Sequence, residues 1–272
     1  MEPGSGAFNF DRVKVWYHCP QESLADLPVV FALHGASRNA STYRDTWASH
    51  ADMHGFLLLA PEFSEAHYPD EETFNLGNVF AKDGTRNALV DWSFQVIEGI
   101  FDHVKKRVGL RASSYGFYGH SAGSQFVHRF LYFMPQSHAH IFVAANAGWY
   151  TMPTFKQTYP YGLTGSGLAV ADLKRSLNQR VVVLLGTDDV DVNHPKLRRT
   201  PQAMMQGAHR FERGHTFFET AKREAEALNV PFNWQLDTVP NVGHNNAGMA
   251  KVGVAYLANE RGTTGRLSGQ FI

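Results

Sequence analysis

A serine between two glycines is the first feature of this sequence that could do chemistry. Ser121 lies in "YGFYGHSAGSQF", residues 115–126, where an apolar run ends in the pattern Gly-x-Ser-x-Gly. The run before Ser121 predicts a strand, and the apolar stripe at helical spacing after it predicts a helix. A sharp strand-to-helix turn presents a hydroxyl as a nucleophile beside the free amides of the first helical turn. The pattern therefore predicts a nucleophilic role for Ser121, not an incidental one.

An alkyl hydroxyl is a weak nucleophile at neutral pH, so Ser121 needs a base that is itself oriented by an acid. The stretch "NVGHNNAGM" places His244 in a loop between the last predicted strand and the last predicted helix. Residues that follow parallel strands meet at the carboxyl edge of the sheet, where Ser121 is also expected. We therefore predict that His244 is the base.

The acid is expected in the cluster that ends the run "VVVLLGTDDVD". Asp189 stands three residues past Gly186, far enough into the turn to face a histidine, and is our first choice. Asp191 is the runner-up. Asp188 is the third candidate, and we expect it to cap the turn by bonding local backbone.

Two backbone amides are predicted to hold the oxyanion of a tetrahedral intermediate. One is the N–H of Ala122, directly after the nucleophile. The other is the N–H of Ala36, in the loop "LHGASRNAS" that follows an early strand. His34 in the same loop is a candidate for substrate binding, or its ring holds the loop by hydrogen bonds; we expect no proton transfer from it.

Short apolar runs and amphipathic stretches alternate along the chain, which predicts a mainly parallel sheet covered by helices on both faces. We read the whole of 1–272 as one α/β domain. The predicted strands are 12–18, 29–35, 55–61, 115–119, 141–148, 181–186 and 232–239. The predicted helices include 41–53 (with Ser41 or Thr42 as N-cap), 90–108, 214–228 and 247–258.

One segment, 149–179, breaks this alternation with a stretch rich in Pro, Gly and Tyr. We interpret it as a short cap or lid, with an ordinary long surface loop as the alternative. Trp149 and Tyr150 follow a predicted strand directly, so both are expected at the sheet edge that carries Ser121. We predict that these two aromatic residues bind substrate.

Composition argues against several other classes of protein. The chain has 25 basic and 25 acidic residues, so no net field attracts nucleic acid. Its single cysteine, Cys19, the lack of a signal-peptide pattern and the lack of a long apolar run predict a cytoplasmic protein with no membrane span. No metal-ligand spacing or dinucleotide fingerprint is present, so we expect no metal and no cofactor. The sequence leaves the oligomeric state open.

The order of "VVFALHGASRNAS", "YGFYGHSAGSQF", "LLGTDD" and "NVGHNNAGM" resembles that of the α/β-hydrolases, over nearly the whole chain. Within that superfamily the loop H-G-x-x-x-N-A resembles the poly(3-hydroxybutyrate) depolymerase and feruloyl esterase branch. The resemblance implies a serine hydrolase that cleaves carboxylic esters, small or oligomeric, through an acyl-enzyme on Ser121. Amide or peptide hydrolysis, acyl transfer and a non-catalytic binding role on the same scaffold remain alternatives.

Overall fold

The computed structural model describes residues 1–20 and 24–258. They form a mainly parallel sheet flanked by helices, as the sequence predicted, but with eight strands and not the predicted seven. The end of the predicted 1–272 domain, 259–272, lies outside the described residues. The strands are β1 Gly4–Phe10, β2 Val13–Cys19, β3 Val29–Leu33, β4 Leu57–Glu62, β5 Tyr115–His120, β6 Ala139–Ala145, β7 Val181–Gly186 and β8 Trp234–Val239. The helices are α1 Ala40–His54, α2 Ser93–Val108, α3 Ala122–Phe133, α4 Val170–Leu177, α5 Pro201–Met204, α6 Arg210–Leu228 and α7 Asn246–Ala258.

The strand order is β1-β2-β4-β3-β5-β6-β7-β8. Strand β2 pairs antiparallel with both β1 and β4, and all strands from β4 to β8 in this order run parallel to one another. Because β5, β6, β7 and β8 are parallel neighbours, the loops that follow them emerge at one edge of the sheet. This edge carries Ser121, Asp189 and His244, which are 55 residues or more apart in the chain.

The central strands are buried on both faces, which explains their continuous apolar runs. In β3, Val30 and Ala32 face a core that includes α1 and α7, whereas Val29, Phe31 and Leu33 face the larger core on the other side. The larger core is covered by α2, α3, α4 and α6. Two apolar layers thus hold the sheet rigid beneath its functional edge.

The structure differs from the sequence expectations at several element ends. Strand β1 was not predicted, because its Gly- and Ser-rich sequence has low β-propensity; pairing along β2 forms it. Helix α1 begins at Ala40, not after a Ser41 or Thr42 cap, because the carbonyl of Asn39 accepts the first helical hydrogen bonds. Helix α2 begins at Ser93, since 89–91 form a separate 3₁₀ turn.

The segment 149–169 contains no helix or strand, and α4 occupies most of the rest of the predicted cap. The first residues of the segment, 149–154, are buried. No helix among the described residues is long and apolar enough to span a membrane.

Candidate active site

Ser121 occupies the turn between β5 and α3 in a backbone conformation that most residues avoid. Its φ is 59° and its ψ is −118°. Such a conformation costs of the order of 1–3 kcal/mol and persists only where the surroundings impose it. Here the amide of Ser121 donates to Ala145 O at 3.0 Å, and its carbonyl accepts from Gln125 N at 3.1 Å. The strained turn holds the hydroxyl at the sheet edge.

The two glycines of the elbow are required by close packing of backbone against backbone. A Cβ on Gly119 would lie 2.2 Å from Gly123 O, and a Cβ on Gly123 would lie 2.4 Å from Leu33 O. Real Cβ atoms do not approach that closely. The motif therefore reflects the passage of α3 directly against β5 and β3.

A chain of two hydrogen bonds joins Ser121, His244 and Asp189. His244 Nε2 lies 2.9 Å from Ser121 Oγ, and His244 Nδ1 lies 2.7 Å from Asp189 Oδ2. Since a buried carboxylate accepts, Nδ1–H is the donor, which leaves Nε2 free to accept the hydroxyl proton. Asp189 is only 2% exposed, so water competes little for its oxygens.

Asn146, which the sequence analysis missed, ties together the loops that carry the acid and the histidine. It follows β6 and is fully buried. Its Oδ1 accepts from Gly186 N at 2.8 Å, and its Nδ2 donates to Gly243 O at 3.1 Å. The sequence feature that could have identified Asn146 is its position as a polar residue near the end of the apolar run "IFVAANAG".

The two other acids of the cluster turn away from the histidine. Asp188 accepts from Thr187 Oγ1 at 3.0 Å. Asp191 is exposed and accepts from Asn193 N at 2.8 Å, closing a local turn. The geometry therefore places only Asp189, of the three candidates, next to His244.

A buried arginine, also missed from the sequence, contacts the second oxygen of Asp189. Arg210 Nη1 donates to Asp189 Oδ1 at 3.3 Å, and its Nη2 lies 3.0 Å from His194 Nδ1. Arg210 is 2% exposed. Burial and the charge of Arg210 both lower the pKa of His194, whose ring centroid lies 5.8 Å from that of His244. Asp189 is thus held from two sides, by an imidazole and by a guanidinium.

His120, directly before the nucleophile, packs behind His244 with ring centroids 4.8 Å apart. Burial, helped by the nearby charges of His244 and Arg210, holds the pKa of His120 well below its usual value. Tyr43 accepts from Gly35 N at 3.2 Å and lies 3.2 Å from His120 Nδ1. A neutral His120 therefore links the loop after β3 to the elbow.

Both residues predicted to supply oxyanion donors belong to segments that border Ser121. Ala122 begins α3, so its N–H belongs to the first turn, which has no acceptor inside the helix. The loop with Ala36 approaches so closely that a Cβ on Gly35 would lie 3.3 Å from Ser121 Cβ. Ala36 and Ala122 both line the cleft.

The predicted substrate contacts at His34 and Tyr150 do not agree with where these side chains lie. His34 is fully buried; its Nδ1 donates to Gly35 O at 2.9 Å and its Nε2 accepts from Phe63 N at 3.0 Å. Burial lowers the pKa of His34 to about 4. Tyr150 is fully buried and stacks on Phe217 at 4.3 Å. Both side chains are packed entirely against other protein atoms, so neither has an exposed face that could contact a substrate.

Trp149, by contrast, does line the cleft, although only 3% of its surface is exposed. Two guanidinium groups contact its ring, Arg129 at 4.2 Å and Arg198 at 4.5 Å from the ring centroid. These cation–π contacts help to fix the indole orientation. Burial lowers the pKa of Arg129 to about 10.

The cavity around Ser121, which we call the central cleft, has a volume of about 800 Å³. That falls in the usual range for sites that take small molecules or a few polymer units. Its rim includes Arg38, whose Nη1 and Nη2 donate to Phe63 O and Tyr68 O at 2.8 and 3.0 Å. No group of three or more potential ligand side chains with metal-site geometry occurs within 1–20 and 24–258.

Similarity to solved structures agrees with this geometry. Poly(aspartic acid) hydrolase-1 from Sphingomonas sp. KT-1 is 42% identical, with a TM-score of 0.93 over 94% of this chain and 99% of that one. LpqC, a poly(3-hydroxybutyrate) depolymerase from Bordetella parapertussis, is 34% identical, with a TM-score of 0.88 over 93% and 90%. The S-formylglutathione hydrolase FrmB from Staphylococcus aureus shares the fold at 13% identity and a TM-score of 0.58, over 94% and 98%. No protein-family model and no curated protein matches the chain.

Proposed function

The chain belongs to the α/β-hydrolase superfamily of serine hydrolases, and we propose that it cleaves carboxylic esters in oligomeric substrates through an acyl-enzyme on Ser121. The observation that carries this proposal is the unbroken hydrogen-bond chain from Ser121 through His244 to Asp189 at the floor of the central cleft. A hydroxyl with an imidazole nitrogen at 2.9 Å is set up for general-base activation.

In the proposed first step, Ser121 Oγ attacks the ester carbonyl carbon while His244 Nε2 takes the hydroxyl proton. The Oγ–C bond forms, and the carbonyl electron pair moves to oxygen, where the N–H groups of Ala122 and Ala36 stabilise the charge. His244 then protonates the departing alkoxide as the C–O bond breaks. Asp189 keeps the Nδ1–H tautomer in place and stabilises the imidazolium.

The second half repeats these steps with water as the nucleophile. His244 takes a proton from water, the hydroxide attacks the acyl carbon, and Ser121 leaves with the proton that His244 returns. The carboxylic acid product then dissociates. Each proton that His244 takes is returned, so the full cycle consumes only the ester and one water molecule.

The choice of an oligomeric ester is supported by the depolymerase relative, LpqC, and by the size of the central cleft. We also propose that residues 149–179 form a cap beside this cleft, because Trp149 at their start lines it. The buried 149–154 stretch would anchor such a cap to the body of the protein.

A second candidate is cleavage of amide bonds in an anionic polymer. The poly(aspartic acid) hydrolase relative favours it, and so does Arg38, whose two described hydrogen bonds go to backbone carbonyls. A guanidinium held in this way keeps its charge available for a substrate carboxylate. The same Ser121, His244 and Asp189 would serve either bond.

A fluorophosphonate probe tests the shared mechanism, with Ser121→Ala as the matched control. We expect the probe to label the native chain and not the variant. If it labels neither, the result favours a non-catalytic binding protein. Turnover of methyl-capped oligo(3-hydroxybutyrate) and of poly(aspartic acid) under one set of conditions then separates ester from amide chemistry. Ester product formed only when an acceptor alcohol is added would identify an acyltransferase instead.

A further inference from the structure

A second cavity, which we call the side pocket, adjoins the central cleft. It has a volume of about 440 Å³. Two residues, Glu71 and Arg198, line both cavities, so they form the boundary between them. The remaining walls come from the 72–84 loop, which includes Phe80 and Ala81, and from the predicted cap, which includes Tyr159 and Tyr161.

The two residues shared by the cavities form an ion pair with each other. Arg198 Nη1 donates to both carboxylate oxygens of Glu71, at 2.6 and 2.7 Å. Arg198 Nε donates to Tyr161 OH at 2.7 Å. About a third of the surface of each ion-pair side chain is exposed, so the pair is accessible from solvent.

An aromatic surface continues from one cavity into the other. Trp149 lines the central cleft, Tyr161 lines the side pocket, and their ring centroids are 4.8 Å apart. Further in, Phe80 packs against Tyr159 at 5.4 Å, and Tyr159 OH donates to Leu76 O at 3.3 Å. The hydroxyl groups of Tyr159 and Tyr161 are engaged in hydrogen bonds, so these two residues offer mainly ring surface to the side pocket.

The charges at the side pocket do not favour an anionic occupant. Arg198 is paired with Glu71, and Lys82 lies 3.1 Å from Asp70. Glu72 adds a further carboxylate to the lining. A polymer with a carboxylate on each unit would gain little attraction here, whereas an uncharged aliphatic chain would bury apolar surface against the rings.

We propose that the side pocket is a subsite for the repeat units of an uncharged aliphatic oligoester that extend beyond the bond held at Ser121. The subsite rests on the proposed ester hydrolysis. The substrate runs from Ser121 past Trp149, crosses the Glu71–Arg198 pair and lies against Phe80 and Tyr159. Longer oligomers therefore gain binding that a dimer cannot reach.

The test compares kcat/KM for methyl-capped dimers and pentamers of 3-hydroxybutyrate. Phe80→Ala removes an apolar wall of the side pocket, and Ala81→Trp fills the pocket. Both variants should lower kcat/KM for the pentamer about tenfold, mainly through KM, and leave the dimer within about twofold, as loss of one apolar contact predicts.

Two matched variants control for indirect effects. Phe218→Ala removes a partly buried ring that packs on Phe232, away from both cavities. Ala88→Trp adds a ring to an exposed position just after the 72–84 loop and outside the side-pocket lining. Neither should change the ratio of pentamer to dimer activity, and melting temperatures identify any variant that is unfolded.

The outcomes separate this inference from the proposed function. Dimer turnover without any preference for the pentamer, or equal losses on both substrates in Phe80→Ala and Ala81→Trp, overturns the subsite and leaves ester hydrolysis standing. Absence of turnover on both substrates overturns the function itself. If the two variants selectively impair cleavage of oligo(aspartic acid), the occupant is anionic and the chemistry assigned to the side pocket is wrong.

Discussion

Replacing Asp189 by Asn tests both the acid and its surroundings. Asp189 Oδ2 receives the His244 bond at 2.7 Å and Oδ1 receives Arg210 at 3.3 Å. The side chains of Asp189 and Arg210 are 1% and 2% exposed. Asn keeps the size and shape of Asp, but it removes the negative charge that His244 and Arg210 both contact.

Activity should fall steeply. Without the carboxylate, the Nδ1–H tautomer of His244 is no longer enforced and the imidazolium formed during attack by Ser121 is unsupported. In comparable Ser-His-Asp sites this change costs ~10⁴ in kcat, which corresponds to about 5.4 kcal/mol of transition-state stabilisation. Steady-state kinetics on a soluble ester should show the loss in kcat and little change in KM.

Stability should fall as well, because Arg210 is left buried without a carboxylate. Breaking one partner of a buried pair typically costs 3–5 kcal/mol, and we expect about 3 kcal/mol because the Asn oxygen still accepts a hydrogen bond. Urea unfolding of Asp189→Asn measures this. Adding Arg210→Met should restore part of the loss, since it removes the stranded cation, without restoring kcat.

Asp191→Asn is the matched control, because the same chemical change is made two residues away on an exposed side chain. It should alter kcat less than twofold and unfolding free energy by less than about 0.5 kcal/mol. A kcat for Asp189→Asn within tenfold of the native value, or a larger loss in Asp191→Asn, would refute the assignment of the acid.

Four further predictions follow from the site. Ser121→Gly should raise the unfolding free energy by about 1 kcal/mol relative to Ser121→Ala, because glycine tolerates φ 59°, and both should lack turnover; equal stabilities would argue against strain at the elbow. Gly123→Ala should destabilise strongly, since its Cβ would meet Leu33 O at 2.4 Å, whereas Gly243→Ala, with its nearest contact at 3.5 Å, should be mild by urea unfolding. Trp149→Phe should fold and change the relative kcat/KM among acyl groups; unchanged preferences would make Trp149 a packing residue only. Acid should destabilise the fold, because the pKa of His34 is about 4 in the folded protein and near 6.5 in the unfolded chain. Between these pH values the unfolded chain binds the extra proton, so the free energy of unfolding should fall by about 3 kcal/mol as the pH drops from 6.5 to 4. Urea unfolding at several pH values should show a smaller drop for His34→Gln.

The strand set and the elbow were readable from the sequence because their causes are local. A run such as "VVVLLG" is apolar throughout because both faces of a central strand are covered, and its neighbours in the chain supply the turn that ends it. The pattern at Gly119, Ser121 and Gly123 is largely local, since the strained turn and the contact of Gly119 with Gly123 O fall within five residues, although the contact of Gly123 with Leu33 O depends on the pairing of distant strands. The edge strand Gly4–Phe10 escaped prediction because pairing with another strand, and not its own composition, makes it a strand.

What the tertiary structure decided is which side chains meet. Asp188, Asp189 and Asp191 have nearly identical sequence contexts, and only the fold of the turn brings one of them within 2.7 Å of His244. Arg210 reaches the same carboxylate from the start of α6, and no local pattern marks it. His34 and Tyr150 sit beside the correct strand ends, yet the packing of other elements buries them. Residue type and spacing determine the elements and the edge at which they converge, but side-chain direction and burial depend on contacts between segments far apart in the chain.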